Sequence, residues 1–322
     1  GRPEKKKIIG RIKGYHGVTI AAASVTGTPI NHQAFDLPIA GFLHTDCPHY
    51  YRAAEDGESE EDYATRCADN LDALIEREGP ETVAAFFAEP VMGAGGILIP
   101  PATYFDKIQA VLRKHDVLMV ADEVICGFGR TGKMWGSETF GIQPDILTCA
   151  KALSSGYIPI SALMVSEEFF QPIAAQSAEI GVLGHGYTYS GHPVAAAVAV
   201  ETLKIYEEMD LLAMVGIASR ALQDGIRRFA DHPLVGEVTG IGMLAVAELV
   251  ADKDTKEPFD PGRKVGPYLL ERSLEHGLII RALGDRIGFS PPLVITPEEI
   301  DHMYARFALA LDDTQAWISA TG

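Results

Sequence analysis

The sequence is poor in cysteine, and its cysteines lack the spacing of a metal site or a redox pair. Only four occur among 322 residues, Cys47, Cys67, Cys126 and Cys149, and none belongs to a Cys-x-x-Cys motif. The ten histidines show no metal-ligand spacing either. We therefore expect free thiols, no bound metal and a reducing compartment, the cytoplasm.

Long apolar runs and an excess of positive charge are also lacking. No run approaches the roughly 18 apolar residues that a membrane span needs. Residues 1–7 carry no apolar stretch of the signal-peptide type. Lysine and arginine number 27 against 44 aspartates and glutamates, a net charge of −17, which argues against binding to nucleic acid or to an anionic membrane.

The composition that remains is that of a globular protein. Apolar residues make up 47% of the chain and charged residues 22%, both ordinary values. A chain of this length fits one large domain and a smaller one. Because the pattern changes after the alanine-rich helix predicted over 193–208, we place the large domain at 1–205 and the small domain at 206–322.

Three short apolar runs end in charged residues, and these ends are the most informative feature of the sequence. Glu89, Asp122 and Lys151 follow apolar runs that predict buried strands, at 82–88, 117–121 and 145–150. An amphipathic helix is predicted between the first two, over 101–116. Strand, helix and strand indicate a parallel pair, and ligands of such sheets lie beyond the carboxyl ends of the strands.

An acid and a lysine at neighbouring strand ends suit one particular chemistry. A buried aspartate can keep a heterocyclic nitrogen protonated, and a desolvated lysine can condense with an aldehyde. Pyridoxal phosphate enzymes need both groups. The spacing alone fits equally well an ordinary buried ion pair of Asp122 and Lys151.

A glycine-rich string offers a different hypothesis. Gly127–Gly132 matches the G-x-G-x-x-G pattern of dinucleotide-binding proteins and follows a predicted strand. However, residues 133–141 contain two more glycines and predict no amphipathic helix, and no acidic strand end follows about 20 residues later. A glycine-rich active-site loop is therefore favoured over a nicotinamide site.

Other candidate residues also follow predicted strands. The stretch 93–96 has glycine at three of four positions, which lets backbone around Ala94 approach a ligand. Tyr15 and His16 follow the first strand, 8–12, where an aromatic ring can cover a planar cofactor. Arg281 is predicted to end the strand 278–281, where it serves either as a clamp for a substrate carboxylate or in a surface salt bridge.

The remaining helices and strands are predicted from their apolar periodicity and from turn residues. Residues 26–59 predict a surface loop, 62–78 a helix, 158–165 the last strand of the large domain, and 172–186 a helix with a glycine-rich loop. The small domain is predicted to hold antiparallel strands within 235–249, a helix over 266–276, a strand over 278–283 and a final helix over 297–313.

Taken in order, several motifs resemble one family. They are Gly14–Gly17, Ala88–Pro90, Gly93–Gly96, Val120–Gly132, Pro144–Ile146, Ala150–Gly156, His185–Pro193, Leu278–Arg281 and Pro291–Leu293. The chain resembles class III aminotransferases of the fold-type-I pyridoxal phosphate enzymes, and within them the ω-transaminases that use pyruvate as amino acceptor. The implied fold is α/β, with a mostly parallel sheet sandwiched by helices in the large domain and a smaller α+β C-terminal domain.

The resemblance implies roles for individual residues. Lys151 would form the Schiff base with pyridoxal 5′-phosphate and move the proton, and Asp122 would hold the pyridine nitrogen protonated. Tyr15 and Val124 would cover the two faces of the ring. His16 would accompany the tyrosine.

Further roles concern the substrates and a second subunit. Glu89 would lie beside the cofactor and the substrate pocket, which Ala94 would also line. Thr188 would reach the cofactor phosphate of the neighbouring subunit, which requires a homodimer. Arg281 would pair with the carboxylate of a keto acid. The implied reaction is a ping-pong transfer from a primary amine or ω-amino acid to a keto acid, and the acceptor implied by the resemblance is pyruvate.

One departure from the family pattern affects this expectation. Members carry, ahead of the Tyr-His-Gly strand, a loop of the Ser-Gly-Ser-Glu-Ala type that holds the cofactor phosphate at a helix N-terminus. No stretch of this sequence matches that loop. We therefore expect incomplete phosphate binding by these residues alone, and a non-catalytic fragment or scaffold subunit is the main alternative. A nicotinamide oxidoreductase is a weaker alternative, since it gives Lys151 no task.

Overall fold

The computed structural model describes residues 2–321, which form ten strands and ten α-helices around two sheets. The strands are β1 Lys7–Arg11, β2 Phe42–Thr45, β3 Val83–Ala88, β4 Leu118–Asp122, β5 Ile146–Cys149, β6 Ala162–Val165, β7 Val235–Ile241, β8 Leu244–Leu249, β9 Arg281–Leu283 and β10 Arg286–Phe289. The helices are α1 Ile20–Val25, α2 Tyr50–Ala53, α3 Glu60–Glu78, α4 Tyr104–Lys114, α5 Gly136–Phe140, α6 Glu167–Ile180, α7 Pro193–Glu208, α8 Leu211–Arg227, α9 Val265–Glu275 and α10 Pro297–Thr321.

The first sheet has six strands in the order β2-β1-β3-β4-β5-β6. The first five are parallel, and β6 is antiparallel to β5. Strands β3 and β4 are almost wholly apolar because both faces of such a sheet are covered. Helices α3 and α4 bury their apolar stripes with these strands in one core. The predicted mostly parallel sheet is confirmed.

Two predictions for this part of the chain are wrong. The stretch 26–59, predicted as a surface loop, contains β2, which pairs in parallel with β1, and the short helix α2. Strand β2 is a four-residue edge strand that is only partly buried, so it lacks the apolar pattern of an inner strand. Strand β6 begins at Ala162 and not at Ile158.

The second sheet is antiparallel, with the order β7-β8-β10-β9. Strands β7 and β8 form the hairpin predicted within 235–249. Helices α8, α9 and α10 pack with this sheet in a second core, which includes Val215, Leu222, Leu269 and Phe307. No helix within residues 2–321 combines the length and the apolar character needed to cross a bilayer.

The structure corrects the small-domain prediction in four places. Helix α8 and strand β10 were not predicted. Arg281 begins β9 rather than ending a strand, because residues 278–280 lie outside the ladder. The final helix continues to Thr321. The boundary at residue 205 stays a prediction.

Candidate active site

The strand-end residues lie along one edge of the large sheet. Ala88 pairs with Ala121 and Asp122 with Thr148 across three adjacent parallel strands. Glu89, Asp122 and Lys151 therefore follow, or end, neighbouring strands at the same edge. Tyr15 and His16 follow β1, the strand on the other side of β3.

Asp122 is buried, 5% exposed, and is held from two sides. Its Oδ2 lies 2.8 Å from His16 Nδ1, and its Oδ1 accepts a hydrogen bond of 3.1 Å from the backbone N–H of Val124. Because a carboxylate only accepts, His16 Nδ1 carries the proton. The histidine thus fixes the orientation of the acid.

This contact between His16 and Asp122 was not predicted. The two residues are 106 positions apart, and only the order of the strands brings them together. His16 Nε2 is buried and has no hydrogen-bond partner within the described residues. The available signal was a histidine five residues after a strand, in a sheet where another strand ends in an acid.

Glu89 is buried and fastens two loops to the sheet. Its Oε1 accepts from the backbone N–H of Tyr15 at 3.1 Å, and its Oε2 from that of Gly93 at 2.9 Å. Burial raises the pKa of this carboxyl, an effect that His16 and Arg11 oppose. Arg11 Nη2 also donates to the carbonyl oxygen of Glu89 at 2.6 Å. Arg11 is not among the residues predicted from the sequence.

Glu123, the neighbour of Asp122, has a different environment. It is fully buried, and its carboxylate accepts from the backbone N–H groups of Gly136 and Ser137 and from the Ser137 hydroxyl. These bonds hold the first turn of α5, and burial raises the pKa of this carboxyl. These contacts of the Glu123 carboxylate stabilise the fold.

The glycine string does not form a dinucleotide site. In such sites a helix opens directly after the glycines and its N-terminus faces the pyrophosphate. Here Gly127–Gly132 forms turns, and the next helix is the five-residue α5, which starts at Gly136. The geometry therefore argues against the nicotinamide alternative.

Lys151 starts a short 3-10 turn, Lys151–Ser154, two residues after β5. Its φ of +43° is uncommon for a residue with a side chain, and such strain clusters at functional sites. The lysine is exposed. The described residues therefore do not remove its amine from water, although a desolvated amine was expected. It is not the ion-pair partner of Asp122, whose partner is His16.

Lys151 and Val124 line the same cavity, of about 630 Å³. The wall also includes residues of the glycine loop and of the segment after β10, namely Gly127, Arg130, Ser290, Pro292, Leu293 and Val294. A cavity of this volume suits a small molecule or a cofactor.

The structure does not bring every predicted residue to this cavity. Thr188 is exposed in the segment between α6 and α7, and Arg281 is exposed at the start of β9. Neither lines the cavity wall. Of the predicted site residues only Val124 and Lys151 line it, and Asp122, Glu89 and His16 lie outside the wall. Ala94 is half-buried in the turn that Glu89 holds, and Tyr15 is half-buried after β1.

The residues present fit pyridoxal phosphate. Each oxygen of Asp122 accepts one hydrogen bond from the protein, and a carboxylate oxygen can accept two. The acid can therefore also accept from a protonated ring nitrogen. Lys151, on the neighbouring strand end, presents an exposed amine to a cavity of suitable size.

The fold and this strand-end site define a pyridoxal phosphate-dependent transferase of fold type I. The sequence profile of the family described as aminotransferase class-III matches residues 1–311. The chain belongs to the class-III aminotransferase family, whose members depend on pyridoxal 5′-phosphate.

Individual relatives agree with this assignment. Gamma aminobutyrate transaminase 3, chloroplastic, of Solanum lycopersicum is 52% identical over 315 residues, which are 98% of this chain and 61% of that protein. Vanillin aminotransferase of Capsicum frutescens is 50% identical, with 98% and 69% covered. The chain thus spans about three fifths of the length of the first of these relatives.

A solved structure shares the fold closely. The crystal structure of the ω-transaminase from Pseudomonas jessenii in complex with PMP matches with a TM-score of 0.97 and 54% identity. The match covers 100% of this chain and 71% of that one.

Proposed function

We propose that the protein transfers an amino group from a primary amine or ω-amino acid to a keto acid, with pyruvate as the acceptor, in a ping-pong reaction. The observation that carries this proposal is the pair of neighbouring strand ends, one with a buried acid fixed by His16 and the other with an exposed lysine in a cavity. The names of the relatives, which include GABA transaminases and an ω-transaminase, support the substrate class.

Asp122 and Lys151 divide the chemistry between them. When bound, pyridoxal phosphate supplies a protonated ring that can stabilise negative charge at the substrate carbon. Asp122 would keep the proton on the ring nitrogen, and His16 holds the acid in place. Lys151 Nζ would take the proton from the amino-bearing carbon of the donor and release it on the cofactor side, as a general base and then a general acid.

Other residues bind and orient. Tyr15 and Val124 would cover the faces of the ring, and Ala94 and Glu89 would lie on the substrate side. Arg281 pairs with the carboxylate of the keto acid, where its planar guanidinium suits bidentate recognition.

A homodimer completes the site in this proposal. Thr188 of each chain would contact the cofactor phosphate bound by the other. The exposed position of Thr188 supports this role, because an interface residue is exposed when one chain is considered alone. A cytoplasmic location stays a prediction, since relatives are named chloroplastic and mitochondrial.

The test is formation of alanine from pyruvate and a primary amine, with pyridoxal phosphate added. Lys151→Ala is expected to lower turnover at least about 10³-fold, because the group that moves the proton is lost. Lys204→Ala, at an exposed helical position, is the matched control. Wild-type-like turnover by the Lys151 variant would refute the proposed mechanism.

A further inference from the structure

The turn that carries Ala94 is closed at its base by a small antiparallel bridge. The backbone N–H of Met92 donates to the carbonyl of Leu98 at 3.1 Å, and that of Leu98 donates back at 3.0 Å. Glu89 holds one side of the turn through Gly93. The large sheet therefore fixes the beginning of the turn.

The other side of the turn is held by Arg286, the first residue of β10 in the small sheet. Its Nε donates to the carbonyl oxygen of Gly96 at 2.8 Å, and its Nη2 to that of Ile97 at 3.5 Å. Arg286 is buried, 7% exposed. A Cβ on Gly96 would lie 3.0 Å from Arg286 Cδ, so the backbone and the guanidinium stem are in close contact.

Ile97 adopts a backbone conformation that needs support from outside the turn. Its φ is +53°, which for a β-branched residue is a strained conformation. Its side chain is buried over Gly288 of β10, where a Cβ would lie 2.8 Å from Ile97 Cδ1. Contacts with β10 thus hold the side chain, and Arg286 holds the carbonyl.

Arg286 is itself oriented by a buried network of charges. Its Nη1 lies 3.0 Å from His49 Nε2 and 3.3 Å from Glu237 Oε2, and it also pairs with Glu248. Arg52 pairs with the other oxygen of Glu248. Because arginine has no acceptor, His49 Nε2 must accept, so this histidine is neutral.

The same three residues could at first be taken for a metal site. The ligand atoms of His49, Glu237 and Glu248 lie within 4.8 Å of one another. However, the guanidinium of Arg286 contacts all three, and Arg286 and Arg52 balance the two carboxylates. The cluster is therefore an ion network that orients an arginine.

We propose that Arg286 is a positioning residue for the substrate pocket: it transmits the position of the small sheet to the turn 93–97 and so sets where Ala94 lies against the substrate. This inference rests on the proposed function, because Ala94 contacts substrate only if the site is a transaminase site. Arg286 acts through the turn and does not touch the reacting atoms.

The test compares Arg286→Lys with wild type in the complete, cofactor-loaded protein. Lysine keeps the charge but cannot direct donors to two carbonyls and an acid at once. We expect the KM for the amine to rise about 10-fold, the effect of losing one to two hydrogen bonds, with a much smaller change in kcat. Hydrogen exchange at the amides of the turn 93–97 should become faster. Arg228→Lys, at an exposed pair with Asp301, is the control.

A second variant keeps the test decisive if Arg286→Lys does not fold. Glu237→Gln removes the negative charge of one partner of Arg286 at a half-buried position and should change KM and exchange in the same direction, by a smaller factor. An unchanged KM with unchanged exchange in the folded variants would overturn the inference. A fall in kcat alone would overturn it as well, because it would indicate a general loss of structure.

The two proposals can fail separately. If wild type shows no transamination, the proposed function fails whatever Arg286 does. If wild type is active and the variants keep its KM and exchange rates, only the role of Arg286 fails.

Discussion

The two halves of the candidate site differ in how the chain holds them. On one side, Asp122 and Glu89 are buried and hydrogen-bonded to His16, Tyr15 and Gly93. On the other side, Lys151 and Thr188 are exposed. The acid half is therefore organised by the chain alone, whereas the lysine half presents groups for contact with other molecules.

The lysine half also exposes large apolar side chains. Leu163 on β6 is 66% exposed, and Tyr187 and Tyr189, beside Thr188, are 76% and 79% exposed. Large exposed apolar side chains of this kind are typical of an interaction surface. This distribution supports a second subunit over the lysine half, so substitutions in the two halves should have different effects.

Of the four predictions that compare these regions, the largest effect is expected from Asp122→Asn. The amide cannot stabilise a protonated ring nitrogen, and its NH2 group opposes the N–H of His16 or of Val124. We expect kcat to fall about 10²–10⁴-fold and the melting temperature to fall too. Steady-state kinetics and thermal unfolding check this, with the exposed Asp224→Asn as control. Unchanged stability would contradict the view that the chain organises the acid half.

The second largest effect is expected from Glu89→Gln, which should lower the free energy of unfolding. Glutamine has one acceptor oxygen where Glu89 uses two, so the N–H of Tyr15 or of Gly93 loses its partner. We expect unfolding to become easier by about 1–3 kcal/mol. Denaturant unfolding measures this, and Glu201→Gln on the surface of α7 serves as control. A variant as stable as wild type would show that these two bonds do not hold the loops.

Thr188→Ala should weaken cofactor binding and leave stability almost unchanged, whereas Glu89→Gln should lower stability. Since the side chain is exposed, stability should change by no more than about 0.5 kcal/mol. Loss of one phosphate contact should weaken cofactor binding about 10-fold. Titration of the cofactor and thermal unfolding of the same sample separate the two effects. Thr19→Ala, another exposed threonine, should alter neither quantity.

The smallest effect is a pH dependence of stability that arises from His49 in the buried charge network around Arg286. Burial and the nearby Arg286 lower the pKa of His49 below its ordinary value near 6.5, although Glu248 opposes this shift. The unfolded chain therefore binds a proton before the folded chain does as the pH falls. Stability should be complete above about pH 6.5 and decline below it, by at most about 1.4 kcal/mol per pH unit.

Five charged groups face or surround His49 and set this pH response: Lys13, Arg52, Glu237, Glu248 and Arg286. His49→Gln should flatten the decline in unfolding free energy below pH 6.5. His192→Gln, at an exposed position, is the matched control. An equally steep decline in the His49 variant would assign the pH response to other groups.

The sequence predicted those features that leave a local pattern. Apolar runs with charged ends located β3, β4 and β5, and therefore the edge that carries Glu89, Asp122 and Lys151. Helices α3 and α4 follow from their apolar stripes. Helix α8 has such a stripe as well, at Leu211, Val215, Ala218 and Leu222, and could have been predicted from it.

Other features depend on contacts between distant segments. Strand β10 is defined by its pairing with β8, about 40 residues earlier, and its four residues carry no pattern of their own. The bonds from His16 to Asp122 and from Arg286 to Gly96 span 106 and 190 positions. Such contacts arise from strand order and from packing between the sheets, which a local window of sequence does not contain.

The measurement that tests the account most directly is the visible absorption spectrum of the purified protein with pyridoxal phosphate. We expect a yellow band that fades when a primary amine is added and returns with pyruvate, and that Lys151→Ala lacks. A folded protein with no such band, or a band that Lys151→Ala keeps, would contradict the assignment of Lys151 and Asp122 as a transamination site.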